Sequence, residues 1–260
     1  MDLMSVLGLL LCVVGVMGGA MIEGVSPVYL MQMTAFMIVI LGSLGATMLA
    51  TTMADFKRGW RGLKKVFLPG KHEVRPVIDK ILELANLARR EGLLALEAYT
   101  TNPKSDPFLA RCLTLAIDGS SAEAIRETVE TDMAIHEEDE KAAAKFWENW
   151  GAICPTIGVL GAVLGLIHVM KVLDQPDKIG PGIAVAFVAT VMGVGYANAV
   201  ALPVAFKLKR ILEHEMLLKA MVLEGVVGIQ SGMAPGALRN RLSVYLAGHG
   251  AHADAKKKAA

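Results

Sequence analysis

Aromatic residues are scarce in this 260-residue chain, at 5%, and it has only three cysteines, Cys12, Cys112 and Cys154. Neither their number nor their spacing fits a zinc site or a cystine-stapled scaffold. A net charge of only +1 removes the basic surplus that marks a nucleic-acid partner. No glycine-rich nucleotide loop, catalytic triad or dinucleotide fingerprint occurs, so no catalytic residue, metal or cofactor is expected and the chain is not read as an enzyme. What it has in quantity is apolar sequence, 54% of the whole, against 20% charged residues.

That balance divides into two materials. About 20 apolar residues rising 1.5 Å each are needed to cross roughly 30 Å of hydrocarbon. Four stretches meet the requirement, at about 3 to 21, 29 to 50, 151 to 173 and 183 to 206. Glycine and proline within them are compatible with membrane helices. The class expected is therefore all-α: a polytopic membrane protein with four transmembrane helices and a cytoplasmic helical domain.

Basic residues set the orientation. Of the 26 Lys and Arg, only Lys171 and Lys178 lie outside 55 to 149 and the region after 206. By the positive-inside rule both termini and the central segment are expected in the cytoplasm, and the short connections 22 to 28 and 174 to 182 face outward. Gly18, Gly19 and Ala20 resemble a signal-peptide cleavage site, but Asp2 stands where such a signal carries basic charge, so cleavage is not expected. The cysteines then fall in a membrane helix, in the cytoplasmic segment and near an inner membrane face, without an oxidising-side partner, so no disulfide is expected.

Four segments follow: 1 to 54 with the first two spans, 55 to 149 as a cytoplasmic helical domain, 150 to 206 with spans three and four, and 207 to 260 as cytoplasmic helices and tail. The stretch DFKRGWRGLKKVF is a basic aromatic anchor at the bilayer surface. Pro69 and Gly70 break the chain. Residues 74 to 99 return in helical rhythm, with Val77, Ile78, Ile81, Leu84 and Ala88 on one stripe, and a shorter helix is expected over 107 to 118. Ser120 with Glu123 fits a capping box, from which a helix meets no Pro or Gly until Gly151 and runs on into the third span. The acids Glu137, Glu138, Asp139 and Glu140 point around that helix rather than converging, which favours a solvated face over a metal site. After the fourth span an amphipathic helix, Pro235, a final helix and the disordered tail HGAHADAKKKAA are expected.

The membrane runs contain few groups that carry chemistry. GAICPTIGVLGAVLGLIHVM, residues 151 to 170, has no acid. His168, within about a turn of Lys171, reads as interfacial. Gly161 and Gly165, and likewise Ala189, Gly193, Ala197 and Ala201, are spaced at four and give each helix a smooth seam for close approach, within the chain or between copies. Thr190 and Asn198 lie eight apart, roughly on one side of the fourth span. Thr156 sits near the inner end of the third; a membrane hydroxyl such as that of Thr190 often merely bonds its own backbone carbonyl. Pro155 and Pro203 share a depth near the cytoplasmic face, either as helix boundaries or as a pair of hinges.

The blocks EGVSPVYLMQMTAFMIVILGSLGAT, LARREGLLALE, CPTIGVLGAVLGLIHVM, IGPGIAVAFVATVMGVGYANAVALPVAFKLK and EGVVGIQSGMAP, in this order, resemble the MotA/PomA family of flagellar stator subunits over nearly the whole chain. The resemblance implies an ion-driven motor of the bacterial inner membrane, with five copies around two B-type subunits whose single span carries the ion-binding aspartate. Thr190, Thr156, Ala162 and Asn198 would then line the channel wall, and Pro155 and Pro203 would couple ion passage to movement. The R-x-x-G-x-x-x-x-E pattern places Arg89, or its neighbour Arg90, and Glu97 against the rotor's torque ring. Sodium-type relatives carry threonine where Ala162 stands, so the resemblance favours protons over sodium. Two alternatives carry their own tests: an ExbB/TolQ-type energiser, which has three spans and begins outside, and a non-conducting membrane scaffold.

Overall fold

The computed structural model describes residues 2–68, 70 and 74–250, without the side chains of Pro27 and of 247–250. The expected break at Pro69 and the expected disorder after residue 250 lie outside the described residues. Every element among those described is helical: α1 Leu3–Ile22, α2 Pro27–Leu30, α3 Met33–Leu49, α4 Met53–Phe67, α5 Val74–Glu91, α6 Glu97–Thr100, α7 Pro107–Ile117, α8 Ala122–Lys171, α9 Pro176–Gln230 and α10 Pro235–Gly250. The chain divides into two compact units, Met1–Gly70 with Asp139–Ile211, and Lys71–Glu138 with Leu212–Ala260.

Three helices, α1, α8 and α9, are long and apolar enough to cross a membrane, and the first unit holds α1 with the parts of α8 and α9 from Asp139 to Ile211. No residue of α1 is buried, as suits a helix whose solvent is lipid. The second expected span differs from its sequence reading. It is broken at Met31 and Gln32 into the short α2 and the 17-residue α3, and α3 contains a π-turn at Met37–Leu41. At 1.5 Å per residue α3 is about 25 Å long, somewhat short of the hydrocarbon thickness. The fourth span begins earlier than expected, at Pro176 rather than 183, and the connection before it shrinks accordingly. Proline is tolerated there because the first turn of a helix has no intrahelical use for its amide.

Small residues and aromatics hold this unit together. Trp147, 2% exposed, donates its indole N–H to the Gly59 carbonyl at 2.9 Å. Phe146 occupies the space a side chain on Gly59 would need, since a Cβ there would lie 2.5 Å from its ring. Arg58 and Lys65 of α4 pair with Asp139 at 2.9 Å and Glu140 at 2.6 Å. Half of the acidic cluster is thus engaged by α4 rather than merely solvated. Asp2 caps α1, accepting from the Ser5 hydroxyl at 2.9 Å, and its amide donates to the Phe67 carbonyl at 2.9 Å.

The second unit has its own core, in which Ile81, Leu96, Leu113, Ile125, Met221, Leu238 and Leu242 are fully buried. Gly225 lets Ile81 approach, because a Cβ there would come within 2.7 Å of the Ile81 side chain. Glu224 draws Arg126 and Arg241 to its two oxygens, each at 2.6 Å. Two sequence readings are corrected here. The helical rhythm expected over 74 to 99 stops at Glu91, because Gly92 takes φ +85° and turns the chain into a 3₁₀ segment, Leu93–Leu96, before α6. The cap of α8 is Ser121, whose hydroxyl accepts from the Ala124 amide at 3.1 Å. Ser120 is already used: its amide closes the end of α7 on the Leu115 carbonyl, and its own carbonyl accepts from Gln230.

Candidate functional site

The two small-residue seams face each other within one chain. A Cβ on Gly161 would lie 2.8 Å from the Ala189 Cβ, and one on Gly165 would lie 2.9 Å from the Ala186 amide nitrogen. Gly158, not singled out from spacing, extends the seam: its Cβ position is 3.0 Å from the Ala189 carbonyl oxygen. At Gly193 the backbones come so close that a Cβ would sit 2.7 Å from the Cys154 carbonyl oxygen. Only glycine permits this, and the result is a pair of helices packed backbone to backbone.

The two prolines adjoin this seam. Pro155 directly follows Cys154, and α8 remains α-helical through it. The missing amide leaves the Gly151 carbonyl without its intrahelical donor. Gly151 is itself seated against Leu202 and Ala201, with a Cβ position 2.9 Å and 3.3 Å from their side chains. Those two residues immediately precede Pro203, so the structure brings the two proline regions together. α9 handles its proline differently, by a π-turn over Ala197–Ala201. That wider turn lies where the ring of Pro203 would otherwise press on the carbonyl four residues back.

The other residues that the sequence analysis picked out in these two helices differ in environment. Thr190 is half-buried, its Cα 3.5 Å from the Cβ position of Gly158, and its hydroxyl donates to its own helix at the Ala186 carbonyl, 3.3 Å away. Thr156 is exposed and bonds the Ile153 carbonyl at 2.7 Å. Ala162 is half-buried. Asn198 is exposed, donates to the Val194 carbonyl at 2.9 Å, and lines a cavity beside α1 whose walls include Pro203 but not Thr190. His168 is exposed.

A buried polar network was not found from the sequence. Trp150 donates its indole N–H to Ser43 Oγ at 2.9 Å, and Ser43 Oγ lies 3.0 Å from Cys154 Sγ and 3.2 Å from the Ile40 carbonyl. Ser43 is fully buried. A lone serine in an apolar span is its only sequence signal. The three cysteines are free thiols.

In the second unit Arg89 and Arg90 end α5 and Glu97 begins α6, all three exposed and joined through the Gly92 turn. No ion pair involves them among the described residues. They form an open charged corner.

Comparison with known proteins places this arrangement. The MotA/TolQ/ExbB proton channel family matches residues 100–221. Motility protein A of Helicobacter pylori is 35% identical over 247 residues, covering 95% of this chain and 96% of the relative. The chain belongs to the MotA family of flagellar stator subunits. Two solved structures agree with MotA membership throughout the fold. The C. jejuni MotAB structure is similar at a TM-score of 0.90 with 34% identity, covering 95% of this chain and 96% of the other. The flagellar MotAB stator complex from Bacillus subtilis is similar at 0.86 with 35% identity, covering 93% and 94%. As a MotA-family stator A subunit, the chain is a multi-pass membrane protein.

Proposed function

We propose that this stator subunit forms the wall of a proton channel whose ion-binding acid is supplied by a B-type subunit, and that proton passage drives torque on the flagellar rotor. One observation carries this reading: no Asp or Glu occurs between Glu148 and Asp174, or between Asp177 and Glu213. The two helices packed at the glycine seam thus provide a wall without a titrating carboxylate. The solved relatives are MotAB complexes, which supports a companion chain as the source of the acid.

The physical cycle follows. A carboxylate held in a low-dielectric wall favours its neutral form. Protonation from outside and release inside alternate its charge, and each charge crossing yields about 2.3 kcal/mol per 100 mV. Four spans, counting α3, leave both termini and the second unit cytoplasmic, in accord with the distribution of Lys and Arg. Thr190, Thr156, Ala162 and Asn198 belong to the wall, and five copies enclose the companion's helices.

Pro155 and Pro203 act as the flexible pair. Each lacks one backbone amide donor, and Gly151, one turn before Pro155, packs against Ala201 and Leu202, which directly precede Pro203. Arg89, Arg90 and Glu97 engage the rotor's torque ring. Their exposure means that each contact is weak and salt-screened, so torque requires repeated engagement. The test is co-expression with the B-type subunit: motility should depend on both chains, and Pro155→Ala or Thr190→Ala should impair swimming while the ring still assembles. Normal swimming in both variants would reject the coupling.

A further inference from the structure

Helix α4 presents four faces. Gly59 and Gly62 are buried against α8 and α9, and Arg58 and Lys65 are tied to Asp139 and Glu140. Lys57, Arg61 and Lys64, spaced at four and three, form a third stripe that is exposed and has no acidic partner among the described residues. The fourth face, Trp60, Leu63 and Phe67, lies beside that cationic stripe on the helix. It lines a cavity of about 640 Å³ whose opposite wall is α1 and the end of the fourth span.

The cavity walls are almost wholly apolar, apart from Ser5, Asn198 and Lys207. Lys207 contacts the carboxylate of Asp2 and the hydroxyl of Ser5 at the start of α1. Asp2 in turn meets the Phe67 carbonyl at the end of α4. The start of α1, the end of α4 and the end of the membrane part of α9 thus meet at one membrane face. An apolar groove opens there beside three unneutralised cations.

We propose that this groove binds an anionic phospholipid, its acyl chain between α1 and α4 and its phosphate on Lys57, Arg61 and Lys64. Charge decides the occupant. A neutral lipid fills the apolar groove equally well but leaves the cations without a counter-charge, whereas an anionic headgroup satisfies both surfaces at once. Trp60, 42% exposed where Trp147 and Trp150 are 2% and 3%, stands at the junction of the two faces and reports on the bound lipid.

The test is tryptophan fluorescence of the intact stator ring in nanodiscs containing brominated phosphatidylglycerol or brominated phosphatidylcholine at equal mole fraction. Quenching by the anionic lipid should be the stronger. Lys57→Gln, Arg61→Gln and Lys64→Gln together should remove that preference, with apparent affinity falling on the order of fivefold for each cation lost. Gly8→Leu fills the groove from α1, where a Cβ meets nothing within 4 Å, and should lower quenching by both lipids in rings that still elute as the assembled complex. Equal quenching by the two lipids in the unmodified ring, or a preference that survives the triple substitution, would overturn the proposal. Absence of quenching by either lipid would mean that a neighbouring copy fills the groove, and would overturn it as well.

Discussion

The α-carbon of Gly193 rests on the backbone carbonyl of Cys154, so close that a methyl group would stand 2.7 Å from its oxygen. Cys154 is the residue before Pro155, so the closest approach of a glycine to backbone between α8 and α9 lies beside the break in hydrogen bonding. Gly193→Ala should therefore spread α8 from α9 beside Pro155. Overpacking of this kind costs about 1–3 kcal/mol. The assembled ring should lose thermal stability in detergent, whereas Gly195→Ala, where a Cβ meets nothing within 4 Å, should leave it unchanged.

Pro155→Ala makes the opposite test. It restores an amide donor to the Gly151 carbonyl, and a mid-helix proline is about 3 kcal/mol less favourable than alanine. The variant should be at least as resistant to heat as the parent, yet motility should fall. A loss of swimming accompanied by a loss of stability would instead mark the proline as a packing residue.

Ser43→Ala removes the acceptor of the Trp150 indole and the partner of Cys154 in one step. A buried donor left without a partner costs about 1–3 kcal/mol. Unfolding of the purified ring should shift accordingly, while Ser43→Thr, which keeps the hydroxyl, should recover part of the loss.

Charge at the Gly92 corner is duplicated on one side only. Arg89→Ala should be mild because Arg90 adjoins it; Arg89→Ala with Arg90→Ala should reduce swimming strongly, and Glu97→Lys should do so alone. Expression and ring size should stay constant in all three, since the side chains are exposed and form no ion pair among the described residues. The effect should shrink as charge screening rises, because screening weakens the parent's contacts as well.

Burial in the second unit pushes the Cys112 thiol up to about 12. Its pKa is raised on folding, so its contribution to stability is complete below pH 9 and lost as pH rises toward 12. Maleimide labelling of Cys112 at pH 8, followed by mass spectrometry of its peptide, should be negligible until the protein is unfolded.

The sequence disclosed what depends on local pattern and concealed what depends on packing. Four-residue spacing of small residues predicted the seam from Gly161, Gly165, Ala189 and Gly193, and the absence of Pro and Gly from 122 to 150 predicted the long α8. The break at Met31 and Gln32 carries no proline or glycine and was not visible. Ser120 and Ser121 are both competent caps, and only the closure of α7 decides between them. Gly92 was legible as a motif glycine, but its positive φ, which puts Arg89 and Glu97 on separate helices, was not. Ser43 acquires its meaning only from Trp150 and Cys154, more than a hundred residues away.

Proton use has its own check in the alanine at 162, which offers no hydroxyl to a dehydrated cation. Swimming speed at fixed pH should be flat as sodium is varied. A steep rise with sodium would assign the ion differently.

The division of labour between a wall without carboxylates and a companion's acid is tested most directly by ion current. The B-type subunit's membrane aspartate is replaced by asparagine, the ring is assembled with this chain and reconstituted, and proton current is recorded under an applied potential. The account predicts that current disappears while the complex stays intact; current equal to that of the unmodified ring would contradict it.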